Sequence, residues 1–253
     1  MSTHDDAAAA HDSGSPRGTT AGRAAVAALR EHGVDTVFGI PGVQTYELFE
    51  ALRKEPGIEV IATRHEQASA YMALGYAQST GRPGVFSVVP GPGVLNAGAG
   101  MLTSLATSTP TVCLTSEIPT EFIGRGMGHL HEMPDQQATV ASFTKSACTV
   151  TDPAEVPAAV AEAFTRATGG RPGPSVVAIP WDVLTQKAEM QSVVAPPVAA
   201  PEADAGEVAR AAELLRSARN PMLMVGSGAR HAGTEILALA EKLQAPVVSL
   251  RGG

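Results

Sequence analysis

The sequence has few aromatic residues, few cysteines and no long apolar run. Only 4% of its 253 residues are aromatic, and no segment reaches the roughly 18 apolar residues that suggest a membrane-spanning helix. Two cysteines, Cys113 and Cys148, are too few for a disulfide framework. The first twenty residues lack the cationic start and apolar segment of a secretory signal. We therefore expect a cytoplasmic protein that makes no contact with membranes.

Basic residues are also scarce. There are 18 Lys and Arg against 25 Asp and Glu, which gives a formal net charge of −7. None of the basic residues forms a dense run, so the chain lacks the positive surface that a phosphate backbone requires, and nucleic acid is not an expected partner. The length is enough for one full domain and part of another.

What the sequence does contain is a regular alternation of helical segments with short β-branched runs, beginning at Thr20. This alternation is typical of an α/β fold, a doubly wound parallel sheet with helices on both faces. A segment rich in Ala, Pro and Val then separates a second, smaller α/β unit. The predicted organisation is a disordered tail at residues 1–19, a first domain at 20–185, a linker at 186–206 and an incomplete second unit at 207–253.

The second unit is predicted to contain only two strands, Pro221–Val225 and Pro246–Leu250, each preceded by a helix. Two parallel strands leave both sheet edges without backbone partners, which does not make a stable domain. We therefore expect the sequence to be part of a longer protein, or to function with a separately encoded partner.

The turns that follow the strands are the places to look for a site, because open parallel sheets bind ligands at the carboxyl ends of their strands. Four such turns carry informative residues: Gly39–Gly42, Thr63–Gln67, Pro90–Gly93, and a long loop at Ser116–Met133 that contains Gly128–Glu132. A loop of that length inside a compact domain is usually functional.

Glu66 has two interpretations from the residues alone. At the start of a helix, a carboxylate is stabilised by the exposed amides and the helix dipole, by roughly 0.3 to 1 kcal/mol. Alternatively, Glu66 is a buried acid whose pKa is raised by desolvation and which shares a proton with a ligand nitrogen.

Two glycine motifs invite a nucleotide interpretation. The segment from Gly91 to Asn96 lacks the third glycine of a dinucleotide-binding motif, and Pro92 removes one of the amides that would hold a pyrophosphate. Gly226–Gly228 also follows a predicted strand, but position 231 is a histidine, so it is only a weak candidate.

A metal site is not predicted. His129, His131, Glu132 and Asp135 are close in sequence, yet two histidines at i and i+2 match none of the usual zinc spacings. A nucleophilic hydrolase is not supported either, because no Gly-x-Ser-x-Gly motif occurs.

Taken together, the motifs resemble the N-terminal, pyrimidine-binding domain of thiamine diphosphate enzymes, in particular the acetolactate synthase-like group. The resemblance covers residues 20–185, and residues from 204 onward resemble the start of the family's middle domain. It is carried by five blocks, which are Gly33–Gly42, Arg64–Val85, Pro90–Ala97, Ser108–Thr115 and Arg171–Val183.

The resemblance implies an enzyme that decarboxylates or ligates 2-oxo acids with thiamine diphosphate. Glu66 would be catalytic, because the family's glutamate bonds N1′ of the aminopyrimidine and promotes the tautomer that removes the thiazolium C2 proton. Pro41, Gly42, Pro92 and Asn96 would line the pyrimidine. The thiazolium ring then serves as an electron sink for loss of carbon dioxide.

The sequence departs from the family pattern in two places. His131 and Glu132 stand where acetolactate synthases tend to have Phe-Gln-Glu facing the substrate, so the acceptor substrate is left open. The Gly-Asp-Gly motif that holds Mg²⁺ and the diphosphate in a C-terminal domain is absent. The isolated chain is therefore expected to be inactive.

The resemblance also bears on partners and cofactors. The family's active site forms between two subunits, so a homodimer or homotetramer is expected in the complete enzyme, with the diphosphate-binding domain contributed by another subunit. FAD in the middle domain is possible for this family but has no support in the sequence. The alternative function is a non-catalytic module that binds a nucleotide through Gly226–Gly228 or associates with a relative.

Overall fold

A computed structural model describes residues 18–189, 191–193 and 202–250, in two compact units formed by residues 1–199 and 200–253. Residues 1–17, which make up most of the predicted tail, lie outside the described residues, as do parts of the predicted linker and the last three residues. Thr19, the final residue of that tail, pairs with Ala188 in a short antiparallel ladder.

The elements follow the alternation expected from the sequence. The strands are β1 (Thr19–Thr20), β2 (Thr36–Gly39), β3 (Glu59–Ala62), β4 (Gly84–Val88), β5 (Thr111–Glu117), β6 (Ser146–Thr149), β7 (Pro174–Pro180), β8 (Lys187–Ala188), β9 (Leu223–Val225) and β10 (Val247–Ser249). The α-helices are α1 (Ala21–Glu31), α2 (Tyr46–Lys54), α3 (Glu66–Thr80), α4 (Pro92–Ala106), α5 (Gln136–Ala141), α6 (Val156–Thr168), α7 (Trp181–Thr185), α8 (Ala205–Ser217) and α9 (Gly233–Leu243).

The first unit is built on a six-stranded parallel sheet with the order β3-β2-β4-β5-β7-β6. After β2 the chain moves outward to β3, and it then returns to place β4 on the other side of β2. The strand order therefore reverses between β2 and β4, which is the switch point where open α/β sheets form a ligand crevice.

Helices cover both faces of this sheet. Along β5, Val112 belongs to the core cluster formed with α1, α2, α6 and α7, while the next residue, Cys113, belongs to the cluster formed with α3, α4 and α5. Successive side chains of a strand point to opposite faces, so a strand covered on both faces is buried along its whole length. All seven residues of β5 are buried. The predicted α/β fold with a parallel sheet and helices on both faces is confirmed.

Local signals explain several element boundaries. Helix α1 begins after Thr20, whose hydroxyl accepts from the Arg23 amide at 3.4 Å. Helix α3 ends at Gly81, which has a φ of 72° and forms a left-handed C-cap. The sequence predicts a helix from Pro153 to about Thr168, but this segment starts with a 3₁₀ turn at Pro153–Glu155, before α6.

The second unit contains α8, α9 and the parallel pair β9 and β10. Within its described residues, the buried apolar side chains are Ala240 and Ala245. Larger apolar side chains are exposed, including Leu214, Met224 and Leu237.

Across both described units, no helix combines the length and the apolar character needed to cross a membrane.

Candidate functional site

The turns after β2 and β4 meet at the switch point of the sheet, on the side chain of Val89. A Cβ built on Gly42 would lie 2.6 Å from Val89 Cγ1, and one built on Gly93 would lie 2.6 Å from Val89 Cγ2. Both distances are too short for a Cβ unless Val89 shifts, so glycine lets both turns lie close to this side chain. Two of the predicted turns are therefore brought together, with Pro41 and Pro92 exposed on them.

Gly91 sets the direction in which α4 leaves the sheet. Its φ of 60° lies in the left-handed region, and a Cβ there would approach the carbonyl oxygen of His131 to 2.4 Å. The Gly91 amide donates to Gln136 Oε1 at 2.7 Å. Pro92 follows as the first residue of α4, where its missing N–H has no helical partner to lose.

Glu66 is the first residue of α3. The preceding His65 caps the helix, because its Nδ1 accepts from the Gln67 amide at 3.1 Å. The Glu66 side chain is half-buried, and its Oε2 accepts from Asn96 Nδ2 at 3.0 Å. Within the described residues, no hydrogen bond is formed to Glu66 Oε1. The structure thus brings together the two polar side chains that the family resemblance assigns to the pyrimidine ring.

Glycine at position 93 also keeps the space beside this carboxylate open. A Cβ at position 93 would lie 3.8 Å from Glu66 Cγ. The arrangement combines a carboxylate with one free oxygen, an amide that orients the other oxygen, and a backbone surface without side chains. Such a set can bond and protonate a ring nitrogen while a flat ring lies against the glycine backbone.

The long loop between β5 and α5 is attached to the first turn through Gln44, a residue that the sequence analysis missed. Gln44 is fully buried and has a φ of 76°. Its Nε2 donates to the Leu130 carbonyl at 3.0 Å, and its Oε1 lies 3.1 Å from His131 Nδ1. Burial, followed by the nearby His129, lowers the pKa of His131, so its ring favours the neutral form.

Glu132 organises the same loop. Its carboxylate oxygens accept from the amides of Gly126 and His129, both at 2.8 Å. Backbone amides, that of His129 first, lower the pKa of Glu132 below its usual range. In this structure the carboxylate is directed to the loop's own amides.

Gln136 joins the turn after β4 to the end of β5. Besides accepting from the Gly91 amide, it donates through Nε2 to the Ser116 carbonyl at 2.9 Å. It is 4% exposed, so both bonds are shielded from water. Gln44 bonds Leu130, 86 residues away in sequence, and Gln136 bonds Gly91, 45 residues away. No local sequence pattern indicates contacts of this kind.

The remaining sequence motifs receive less structural support. Gly226 and Gly228 flank the start of a 3₁₀ turn after β9, and a Cβ at either position would meet nothing within 4 Å. Neither position therefore requires glycine for steric reasons. In the described residues, no group of three or more His, Cys, Asp and Glu side chains is placed to hold a metal ion.

Two family models match the chain. The model described as "Thiamine pyrophosphate enzyme, N-terminal TPP binding domain" matches residues 19–139. The model described as "Thiamine pyrophosphate enzyme, central domain" matches residues 208–253. The first match contains all the residues of the site described above.

Individual proteins are similar to the chain over most of its length. A Pseudomonas aeruginosa protein named "Probable 2-ketoarginine decarboxylase AruI" is 40% identical over 238 residues, covering 92% of this chain and 42% of its own. The acetolactate synthase large subunit of Parasynechococcus marenigrum is 36% identical over 250 residues, covering 94% of this chain and 40% of its own. The large subunit of acetolactate synthase isozyme 2 from Escherichia coli is 37% identical over 206 residues, covering 80% of this chain and 36% of its own. The chain therefore spans about two fifths of the length of the curated relatives it matches.

Proposed function

Because this chain belongs to the thiamine pyrophosphate enzymes, we propose that it supplies the pyrimidine-binding half of an enzyme that decarboxylates or ligates 2-oxo acids. Residues 20–185 form the pyrimidine-binding domain in this proposal, and residues 207–253 are part of the middle domain. The similarity to acetolactate synthases and to a protein named as a 2-ketoarginine decarboxylase supports an acetolactate synthase-like chemistry.

The observation that carries the proposal is the hydrogen bond from Asn96 Nδ2 to Glu66 Oε2. It holds the carboxylate in one orientation at the start of α3. A carboxyl group fixed in this way can bond a ring nitrogen and exchange a proton with it.

The residues present fit thiamine diphosphate. When bound, the cofactor supplies a thiazolium ring as the electron sink for decarboxylation. Glu66 would hold and release a proton at Oε1, the oxygen left without a partner, while Asn96 fixes the orientation of Oε2. Gly42, Pro41 and Pro92 would provide the surface against which the pyrimidine ring lies. Glycine at positions 42 and 93 lets both turns approach the side chain of Val89 closely.

The long loop would form the substrate side of the site. We place His131 there, because its Nδ1–H donates to Gln44 Oε1 and the neutral ring then leaves Nε2 as a hydrogen-bond acceptor. Glu132 would act indirectly, by holding the loop amides. Mg²⁺ and the diphosphate would be held by a C-terminal domain of another subunit, so a homodimer or homotetramer is proposed. A cytoplasmic location stays a prediction. FAD in the middle domain is possible for the family and has no support in the sequence.

The test measures exchange of the C2 proton of bound thiamine diphosphate with deuterium in the complete enzyme that contains this chain. Glu66→Gln removes the exchangeable carboxyl proton and keeps the size of the side chain. General acid–base groups contribute factors of roughly 10² to 10⁴, so we expect the exchange rate to fall by about that much with folding intact.

Glu59→Gln is the matched control, because Glu59 is an exposed residue at the start of the neighbouring strand β3. It should leave the exchange rate unchanged. If Glu66→Gln exchanges the C2 proton as fast as the parent enzyme, Glu66 has no such role and the proposed function is wrong.

A further inference from the structure

Glu117 is a buried carboxyl group at the carboxyl end of β5, and the chemistry proposed above does not use it. The residue is 6% exposed. Its Oε1 accepts from the amide of the next residue, Ile118, at 2.9 Å. Nothing in the described part of the chain donates a hydrogen bond to its Oε2. Burial of a carboxylate is costly unless the charge is paired and hydrogen-bonded. Glu117, with a hydrogen bond to only one of its two oxygens, would therefore be stabilised by a donor at Oε2.

The side chain lines a cavity of about 580 Å³ beneath the long loop. Apolar walls come from Ile123 and Met133, and polar groups come from Asp135 and Thr149. Cavities of this size are typical of small-molecule sites, which combine apolar walls with a few polar groups. The cavity is large enough for a ligand group and not only for a water molecule.

Gln136 connects this cavity to the turn that leads to Asn96. Gln136 lines the cavity, and the same side chain holds the Gly91 amide and the Ser116 carbonyl. Glu117 directly follows Ser116 in β5. A molecule in the cavity would therefore contact a side chain that also holds the turn after β4.

The charges around Glu117 have one sign. Its pKa is raised by burial first, and then by the carboxylates of Asp135 and Glu132. The Ile118 amide acts in the opposite direction. Among the described residues that line the cavity there is no Lys, Arg or His. The cavity thus offers acceptors and negative charge, with no cation of its own.

We infer that this cavity binds the cationic end of the substrate, a guanidinium or ammonium group, with Glu117 Oε2 as its principal acceptor. The inference rests on the proposed function, since it adds a positive charge to the 2-oxo acid that the enzyme takes. A cation supplies the missing donor to Oε2 and relieves the repulsion between Glu117 and Asp135. Guanidinium fits best, because its planar set of N–H donors bonds carboxylates in pairs.

The test titrates the 253-residue chain, without cofactor, with three acids of similar length. They are 5-guanidinopentanoate, 6-aminohexanoate and hexanoate, which end in a guanidinium, an ammonium and a methyl group. The readout is the carboxyl ¹³C NMR signal of Glu117 in chain labelled on glutamate, assigned by its absence in Glu117→Gln. We expect the guanidino acid to shift this signal and to bind at least tenfold more tightly than hexanoate.

Glu117→Gln should reduce the affinity for the guanidino acid to that for hexanoate. The control Glu121→Gln changes an exposed carboxylate of the same loop and should preserve the tenfold ratio. Tight binding of 6-aminohexanoate also supports a cation site, one that recognises charge more than paired donors. The comparison of the three acids on the parent chain holds even if Glu117→Gln fails to fold.

Equal affinity for the guanidino acid and hexanoate overturns the inference. So does an unshifted Glu117 signal at the highest concentration of guanidino acid that dissolves. Because these probes lack the 2-oxo group and no thiamine diphosphate is present, the result is independent of the Glu66 experiment. If the chain binds the three acids equally but Glu66→Gln still slows C2 proton exchange, only the cation site is rejected. If the chain prefers the guanidino acid but Glu66→Gln does not slow exchange, only the proposed function is rejected.

Discussion

Asn96 and Glu66, thirty residues apart in sequence, are joined by a hydrogen bond of 3.0 Å between Nδ2 and Oε2. The two residues stand near the first turns of α4 and α3, two helices packed on the same face of the sheet. Neither residue is deeply buried. The pair is therefore arranged without the large cost of burying a charge, and a ligand ring can desolvate it on binding.

Asn96→Ala tests whether this pair orients the carboxylate. The variant removes one hydrogen bond to a charged group, worth roughly 1.5 to 3 kcal/mol when shielded and less at an open site. We expect C2 proton exchange in the complete enzyme to fall about tenfold, clearly less than in Glu66→Gln. The melting temperature should change little, because Asn96 is exposed. An exchange rate equal to that of the parent would show that Asn96 does not position Glu66.

Gln136→Ala should destabilise the first unit. It leaves the Gly91 amide and the Ser116 carbonyl without partners in a buried setting, and each orphaned group costs roughly 1 to 3 kcal/mol. Urea unfolding should show a loss of about 2 to 4 kcal/mol. Gln137→Ala, at the exposed neighbouring position, should cost less than about 0.5 kcal/mol. Equal losses for the two variants would contradict the bridging role of Gln136.

Gly91→Ala and Gly81→Ala separate backbone strain from steric conflict. Both glycines have a positive φ, 60° and 72°, but a Cβ at Gly81 would meet nothing within 4 Å. Gly81→Ala should therefore cost only the left-handed strain, roughly 1 to 2 kcal/mol. Gly91→Ala also forces its Cβ against the His131 carbonyl, so we expect a larger loss in urea unfolding and altered amide signals in the long loop. Equal losses of stability in the two variants would show that the loop moves away from the new Cβ at position 91 without a cost in stability.

Asp35 should make stability depend on pH at the acid end. Hydrogen bonds from Tyr76, Arg82 and Thr36 lower the pKa of Asp35 from 3.8 to about 2. A lowered folded pKa means that its contribution is present above pH 3.8 and is lost as the pH falls through about 2. Because the Asp35 side chain is 46% exposed, the contribution should stay below about 1 kcal/mol.

The measurement for Asp35 compares urea unfolding of the parent and Asp35→Asn between pH 2 and pH 6. The stability difference should be constant at the upper end and should shrink toward the lower end. Glu59→Gln changes an exposed side chain that forms no hydrogen bond or ion pair in the described residues, and it should show no such trend. A difference that is the same at every pH would mean that ionisation of Asp35 does not contribute.

The sequence was informative where structure depends on local signals. The sequence predicts a strand at Gly84–Val89 and a helix at Val94–Ala106, and β4 and α4 differ from these bounds by two residues or fewer, because proline, glycine and apolar runs mark their ends. It also predicts a strand at Thr111–Thr115, but β5 continues to Glu117, since pairing with β7 outweighs the polar character of those last residues. The β1–β8 pair and α7 were missed, because two-residue strands and a five-residue helix carry too little pattern.

The candidate site shows the same division. Glu66 and Asn96 were identified through the resemblance of their motifs to the family's, and they lie on α3 and α4. Tertiary contacts, which form only on folding, are what reveal the roles of Gln44, Gln136 and the Oε2 atom of Glu117. A buried glutamine gives no periodic or spacing signal, and a carboxylate at the end of a strand looks like an ordinary exposed residue until the neighbouring loop covers it.

Glu132 gives the glycine-rich loop its own internal anion. Clustered backbone amides that converge on one point are a common way for proteins to bind phosphate, and this loop presents such amides from Gly126 and His129. Here a side chain of the same loop already occupies the point of convergence. The loop can keep its shape without recruiting an ion from solution, and its amides are not available to compete for the phosphates of a cofactor. A phosphate group approaching this edge of the sheet would meet a carboxylate, which favours placing the uncharged pyrimidine end of the cofactor here and its charged end elsewhere.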